Sequence, residues 1–406
     1  MTKRRAMARV NMAAIERNCA RLHNQLKGGT ELCVVVKADG YGHGAVQSAR
    51  AALTGGASWL AVAGAAEARA LREAALREVR VLVMGALSGV ELEEALAADG
   101  DVVVWSEQQV QAVEAAGGGR VHVKLDSGMG RLGTRDPAEA SRAVQAARDA
   151  EKVQLVGLMT HFATADDLDD DGFFAAQLEA FTEWVQALKA EQPELILHAA
   201  NSAAVLRDQQ AHFDMVRCGI AAYGMDPFGE DPADRGLEPA LQLSSYVAEV
   251  KRCEAQESAG YGRRFVAERD TWLAVLPIGY GDGWRRASSN NGDVLIAGRR
   301  HPIVGTVSMD NITVDLGPEA AEDLLGEEAV LIGGAAAGGD GRGAERITAE
   351  EVARRLETIN YEVTCALTPR VPRSYHRDGE PLGDDRIEIG STIGVERPAE
   401  GAGEST

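Results

Sequence analysis

Residues 32–44 read Leu32-Cys33-Val34-Val35-Val36-Lys37-Ala38-Asp39-Gly40-Tyr41-Gly42-His43-Gly44. An apolar, mostly β-branched run ends abruptly in a lysine, and glycines with Tyr41 and His43 between them follow. Such a run fits a strand buried on both faces, and the glycines let the chain turn sharply and approach a ligand closely. Lys37 is thereby placed at the carboxyl end of a buried strand, where α/β folds collect their chemistry. No lysine lies between Lys37 and Lys124. Desolvation lowers an amine's pKa, and a neutral amine can attack a carbonyl. The plainer alternative is a strand-end lysine reaching into water.

Outward from this stretch, short apolar runs alternate with Ala-rich, charged segments. Candidate strands lie at 58–63, 80–85, 101–105, 120–125, 155–160, 196–201 and 214–220, and helical spacing at 12–26, 64–76 and 171–191. With the Lys37 strand this makes eight strand–helix units over about 230 residues, the scale of a (β/α)8 barrel. A doubly wound open sheet is the alternative; polar residues recurring at strand ends favour the barrel. After Leu237-Glu238-Pro239 strands follow strands, at 241–253, 271–276, 293–297, 302–307 and 311–316. Only 348–357 reads as a helix there, with Thr348 and Glu351 in a capping-box pattern. The expected organisation is a barrel over 1–238, a mostly β domain over 239–395 with a mobile loop at 333–345, and a disordered tail over 396–406.

The 406 residues are 45% hydrophobic, enough for two cores, and carry a formal net charge of −20. That charge argues against nucleic acid and anionic membranes as partners. No apolar run approaches the ~18 residues of a membrane span, and no apolar segment follows the basic N-terminus as in a secretory leader. Five scattered cysteines show neither metal-ligand spacing nor a disulfide framework. A reducing cytoplasm and no metal are expected.

Several predicted strand ends carry polar residues suited to one shared site. Arg131, in Asp126-Ser127-Gly128-Met129-Gly130-Arg131, can clamp a carboxylate in bidentate fashion. His161 to Asp166 follow the 155–160 strand. Asn201-Ser202 follow the next, where Ser202 can cap a helix whose N-terminus receives a phosphate. Arg217, Gly219 and Ile220 end the last, and the latter two can offer N–H groups to an anion.

The segment Val35-Val36-Lys37-Ala38-Asp39-Gly40-Tyr41-Gly42-His43-Gly44 resembles the pyridoxal-phosphate lysine motif of the alanine racemases, and the resemblance runs over nearly the whole chain. It implies interconversion of L- and D-alanine, supplying D-alanine for peptidoglycan, with pyridoxal 5'-phosphate held on Lys37. Tyr41, Ser202, Gly219 and Ile220 match phosphate-binding positions, with Asn201 beside them. Met84 matches the apolar cofactor wall, His161 the histidine over the ring, and Arg217 the arginine facing the pyridine nitrogen. Arg131 and the backbone of Met309 match contacts to the substrate carboxylate. Lys124 matches a position carbamylated in some members. Ser258-Ala259-Gly260-Tyr261 resembles the segment bearing the second base, so Lys37 and Tyr261 would work from opposite faces. Tyr280 matches an access-channel motif; Asp310 and Asp166 stand as supporting residues. The family forms head-to-tail homodimers, which implies that Tyr261 and Met309 reach the partner's site.

One departure is Pro369, in Asn360-Tyr361-Glu362-Val363 to Arg373, where well-known members carry a tyrosine; the inner gate is then expected to be looser. The other readings are a broad-specificity amino-acid racemase, a decarboxylase of the same two-domain plan, and a non-catalytic cofactor-binding protein. The decarboxylases' cysteine-containing motif is missing, and a cofactor-binding protein leaves the second domain unexplained.

Overall fold

In the computed structural model, residues 4–334 and 345–382 are described. The expected tail at 396–406, and most of the expected mobile loop at 333–345, lie outside them.

Strand β1 spans Ala6–Asn11, and eight strands follow: β2 (Glu31–Val35), β3 (Trp59–Val62), β4 (Arg80–Val83), β5 (Gly100–Val104), β6 (Gly119–Lys124), β7 (Val153–Met159), β8 (Ile196–His198) and β9 (Met215–Cys218). These eight form one parallel sheet in the order β8-β7-β6-β5-β4-β3-β2-β9. The β8–β9 seam is drawn together by backbone bonds from Asp214 to Leu197 (3.0 Å) and from Arg217 to Ala200 (2.9 Å). The sheet is therefore a nearly closed barrel and not the doubly wound alternative. β2, β3 and β4 are almost continuously buried, as strands covered by helices outside and side chains inside must be. The helices between strands bury an alanine- and valine-rich stripe, for example Ala140, Ala143, Val144 and Ala147 of Pro137–Asp149.

A second sheet of eleven strands carries the C-terminal half. The run 241–253 is not one strand: it divides into β10 (Leu241–Tyr246) and a second strand, Glu249–Cys253, that pairs elsewhere in the sheet. β1 also belongs to this sheet. It lies antiparallel to β10, with Ala6 opposite Ser245, and parallel to Arg373–Arg377. The chain thus begins in one sheet, builds the barrel, and returns to pair with its own start. The helix at Ala349–Arg355 is capped by Thr348, which accepts from the Glu351 N–H at 3.1 Å. The return half of the box is missing, because the Glu351 carboxylate is drawn to Arg300 at 2.6 Å. A second short helix, Asn360–Cys365, has no side-chain cap and carried no sequence signal. Among the described residues no helix is long and apolar enough to cross a membrane, and no three potential metal ligands cluster.

Candidate active site

The site begins at the end of β2. Past Lys37 the backbone makes a left-handed turn, with φ of 52° at Ala38, 53° at Asp39, 60° at Gly40 and 53° at Tyr41. Each residue with a side chain costs about 1–2 kcal/mol in that region, so the turn must be held from outside. Glu67 accepts from the Ala38 N–H at 2.7 Å, and Asp39 caps the next helix by accepting from Ala45 at 2.9 Å. His43 Nδ1 lies 3.1 Å and 3.0 Å from the carbonyls of Gly40 and Tyr41, so it is the protonated nitrogen. Gly42 and Gly44 do not approach a ligand. A Cβ on Gly42 would strike the Thr364 carbonyl, and one on Gly44 the Tyr375 ring. These glycines let the lysine turn press against the second domain.

Above the turn opens a cavity of about 370 Å³. Of the residues singled out from sequence it brings together Lys37, Tyr41, Met84, Lys124, Arg131, His161, Asn201, Ser202, Arg217, Gly219 and Ile220. Tyr361, from the uncapped helix, lines it as well; it lies in the 360–373 segment singled out for Pro369, but no role was expected of it. Four lining side chains are cationic (Lys37, Lys124, Arg131, Arg217) and none is acidic, in a chain whose net charge is −20. Among the described residues Arg131 makes no ion pair.

This crowding shows in the proton affinities. Burial, with Arg131 adding to it, lowers the pKa of Lys37. Burial, then Arg217, brings Lys124 down to about 8. Burial brings Arg217 to about 10, which leaves it charged at neutral pH. His161, desolvated and facing Arg217, is held well below its ordinary value.

One end of the cavity suits an anion. Ser202 does not cap its helix; Asn201 does, accepting from the Ala204 N–H at 3.0 Å. The Ser202 hydroxyl instead accepts from the Gly219 N–H at 2.9 Å. The Tyr41 hydroxyl sits where a Cβ on residue 219 would be, so only glycine admits it. Ile220 starts a short 3-10 turn, whose first N–H groups the turn itself cannot use.

At the other end Arg217 is fixed from several sides. It donates to the carbonyls of Thr160 (2.8 Å) and Ala199 (3.0 Å), to His198 Nδ1 (2.8 Å) and to His161 Nδ1 (3.3 Å). Arginine cannot accept, so both imidazoles present a lone pair on Nδ1. Behind His198 the bonds continue inward: His198 Nε2 to His122 Nδ1 at 2.9 Å, and His122 Nε2 to Asp101 at 3.2 Å.

Five of the expected residues do not line this cavity. Tyr261 is 74% and Met309 52% exposed. They lie near one another on the β domain: Thr306 donates to the Tyr261 carbonyl at 2.7 Å, and the Met309 carbonyl accepts from Gly281 at 2.9 Å, beside Tyr280. Asp310 is paired with Arg370 at 2.6 Å. Asp166 is exposed; burial, with the Asp166 charge adding to it, raises the pKa of the Tyr361 phenol.

Two family models match this chain in order: the alanine racemase N-terminal domain over residues 10–227 and the alanine racemase C-terminal domain over 240–375. The alanine racemase of Halalkalibacterium halodurans is 39% identical over 380 residues, covering 91% of this chain and 95% of that one. A crystal structure of alanine racemase from Bacillus anthracis with bound L-Ala-P superposes with a TM-score of 0.84 at 34% identity, over 94% of this chain and 97% of that one. Alanine racemase from Bartonella henselae, with covalently bound pyridoxal phosphate, superposes with a TM-score of 0.80 at 28% identity, over 91% and 99%. A barrel and a β domain, each matched along its length and in the same order as in these relatives, place this chain in the alanine racemase family.

Proposed function

We propose that this chain interconverts L-alanine and D-alanine, using pyridoxal 5'-phosphate bound through Lys37. The observation that carries the reading is the cavity with four cations and no acid, one of them a lysine whose pKa burial has lowered. A phosphorylated aldehyde and an amino-acid carboxylate are the anions such a cavity would take, and only a neutral amine can form the bond to the aldehyde. The cradle of Tyr41, Ser202, Gly219 and Ile220 fits the phosphate. Bound there, the cofactor supplies the electron withdrawal that acidifies the substrate's α-hydrogen.

The chain's own residues divide the remaining work. Arg131, unpaired in the cavity wall, holds the substrate carboxylate. Met84 and His161 line the cavity and would hold the cofactor, Met84 as its apolar wall and His161 against its ring. Arg217 keeps its own proton and would hold the ring nitrogen of the bound cofactor, leaving that nitrogen unprotonated. The Lys37 amine takes or returns a proton at Nζ on one face. Tyr261 Oη does so on the other, Lys37 serving the D-isomer and Tyr261 the L-isomer. Tyr261 and Met309 are exposed on their own chain, so a second copy in a head-to-tail dimer delivers them, with Tyr280 and Asp310 bracing the same surface. Lys124, half neutral near pH 8, is poised to take up carbon dioxide and, as a carbamate, steady Arg131. Free, scattered thiols, four of them buried, suit a cytoplasmic setting, and D-alanine for peptidoglycan is the product's use.

A chiral assay on purified protein with each alanine isomer in deuterated water tests this. Deuterium at the α-carbon of both product isomers is expected. No exchange from either isomer, with no adduct on Lys37 after borohydride, would overturn the reading.

A further inference from the structure

Barrel interiors are ordinarily filled by layers of branched apolar side chains. This one is crossed by a polar column. Asp101 on β5, His122 on β6, His198 on β8 and Arg217 on β9 are all buried, the first three completely. At the far end Asp101 is gripped by Arg120 Nε at 2.7 Å and by Arg80. The barrel is shaped around the column. A Cβ on Gly157 of β7 would strike His122 Nδ1. The β6–β7 register also slips at this point, Val121 lying opposite Leu155 but His122 opposite Gly157. A strand glycine and a bulge both weaken a sheet, so the column is kept at a cost to the fold.

We propose that Asp101, His122 and His198 are positioning residues that act as a one-way hydrogen-bond column, locking the Arg217 guanidinium in one orientation; the proposal rests on the reading of Arg217 as the group facing the cofactor ring. The direction follows from the two ends. Arg217 can only donate, and an ionised Asp101 can only accept. Each histidine between them therefore carries its proton on Nε2 and a lone pair on Nδ1. His198 accepts from Arg217 and donates to His122, which accepts and donates to Asp101. No place is left for another proton: a charged His198 would set a donor against the Arg217 donor. The lowered proton affinity of both histidines agrees with this.

The test uses the full-length protein with 15N-labelled histidine. Imidazole nitrogen shifts are expected to show His122 and His198 neutral, with the proton on Nε2, across about pH 6–8. In Asp101→Asn the two arginines compete for one oxygen, and the amide NH2 turns to His122. Both tautomers should then reverse, leaving His198 Nδ1–H against Arg217. The kcat for alanine should fall about tenfold or more with KM little changed, as when a catalytic histidine is held in the wrong tautomer. Either histidine charged or protonated on Nδ1 in the wild type would overturn the proposal. So would reversed tautomers with unchanged kcat. Should Asp101→Asn not fold, the pair His198→Gln and His198→Leu decides. Glutamine can accept from Arg217 and donate to His122, so it should retain more kcat than leucine; equal losses overturn the column. The reading of Arg217 fails separately, if Arg217→Lys leaves the rate and the visible spectrum of the loaded protein unchanged.

Discussion

At the barrel mouth Lys37, Lys124, Arg131 and Arg217 face a shared cavity. On the β domain Tyr261, Tyr280 and Met309 face solvent, at 74%, 43% and 52% exposure. The first group is legible by itself: Lys124 and Arg217 are buried, and clustered cations without counter-ions ask for an anion. The second is chemically mute until something lies against it, because an exposed phenol and an exposed thioether imply no reaction. Exposed apolar side chains gathered on one surface do mark a contact. On the proposed reading, the site is half written in burial and half in surface excess.

The sharpest way to break this contrast is at its buried pole. Lys37→Ala should abolish racemisation to the limit of detection and remove the covalent cofactor adduct in the mass spectrum, with the fold retained by circular dichroism. The next test concerns the exposed pole. Lys37→Ala and Tyr261→Phe chains, each inactive alone, should recover about a quarter of wild-type activity when unfolded and refolded together, as random pairing in a two-fold dimer gives. No recovery would return Tyr261 to its own chain's site. A smaller effect concerns the inner gate: Pro369→Tyr should lower kcat/KM for serine relative to alanine by about tenfold, the scale of one lost or gained pocket contact. If the ratio stays fixed, Pro369 does not set breadth. The mildest concerns Lys124. A 13C carbamate resonance should appear in bicarbonate buffer and strengthen as pH rises through 8, where the amine loses its proton, and should be absent in Lys124→Arg.

Much of this was readable from the chain itself. β2 announces itself because five apolar residues in a row can bury both faces, and Lys37 because it ends them. The eight parallel strands follow from repeated short runs of that kind. What stayed hidden depended on partners far away in sequence. β1 was not among the expected strands, and residues 6–11 fell within the expected barrel; its place in the second sheet is set by residues 241–245 and 373–376. His122 alternates with valines on β6 and gives no sign of its neighbour 76 positions on. Glu67 sits in a charged helix, yet it holds the Ala38 and Ala63 N–H groups. Ser202 was legible as a phosphate-side residue but not as an acceptor for Gly219, because a Ser after an Asn looks like a helix cap whichever of the two does the capping.

The turn that carries Lys37 leans on the second domain: Gly42 meets the Thr364 backbone and accepts from Arg373 at 3.0 Å, while Gly44 meets Tyr375. A chain cut after residue 238 would therefore not be a smaller version of the same catalyst. It would keep the amine but lose the buttress behind it, along with both neighbours of its opening strand. Anyone shortening or recombining such proteins should treat residues 360–377 as a fixture of the barrel, although they are synthesised long after it.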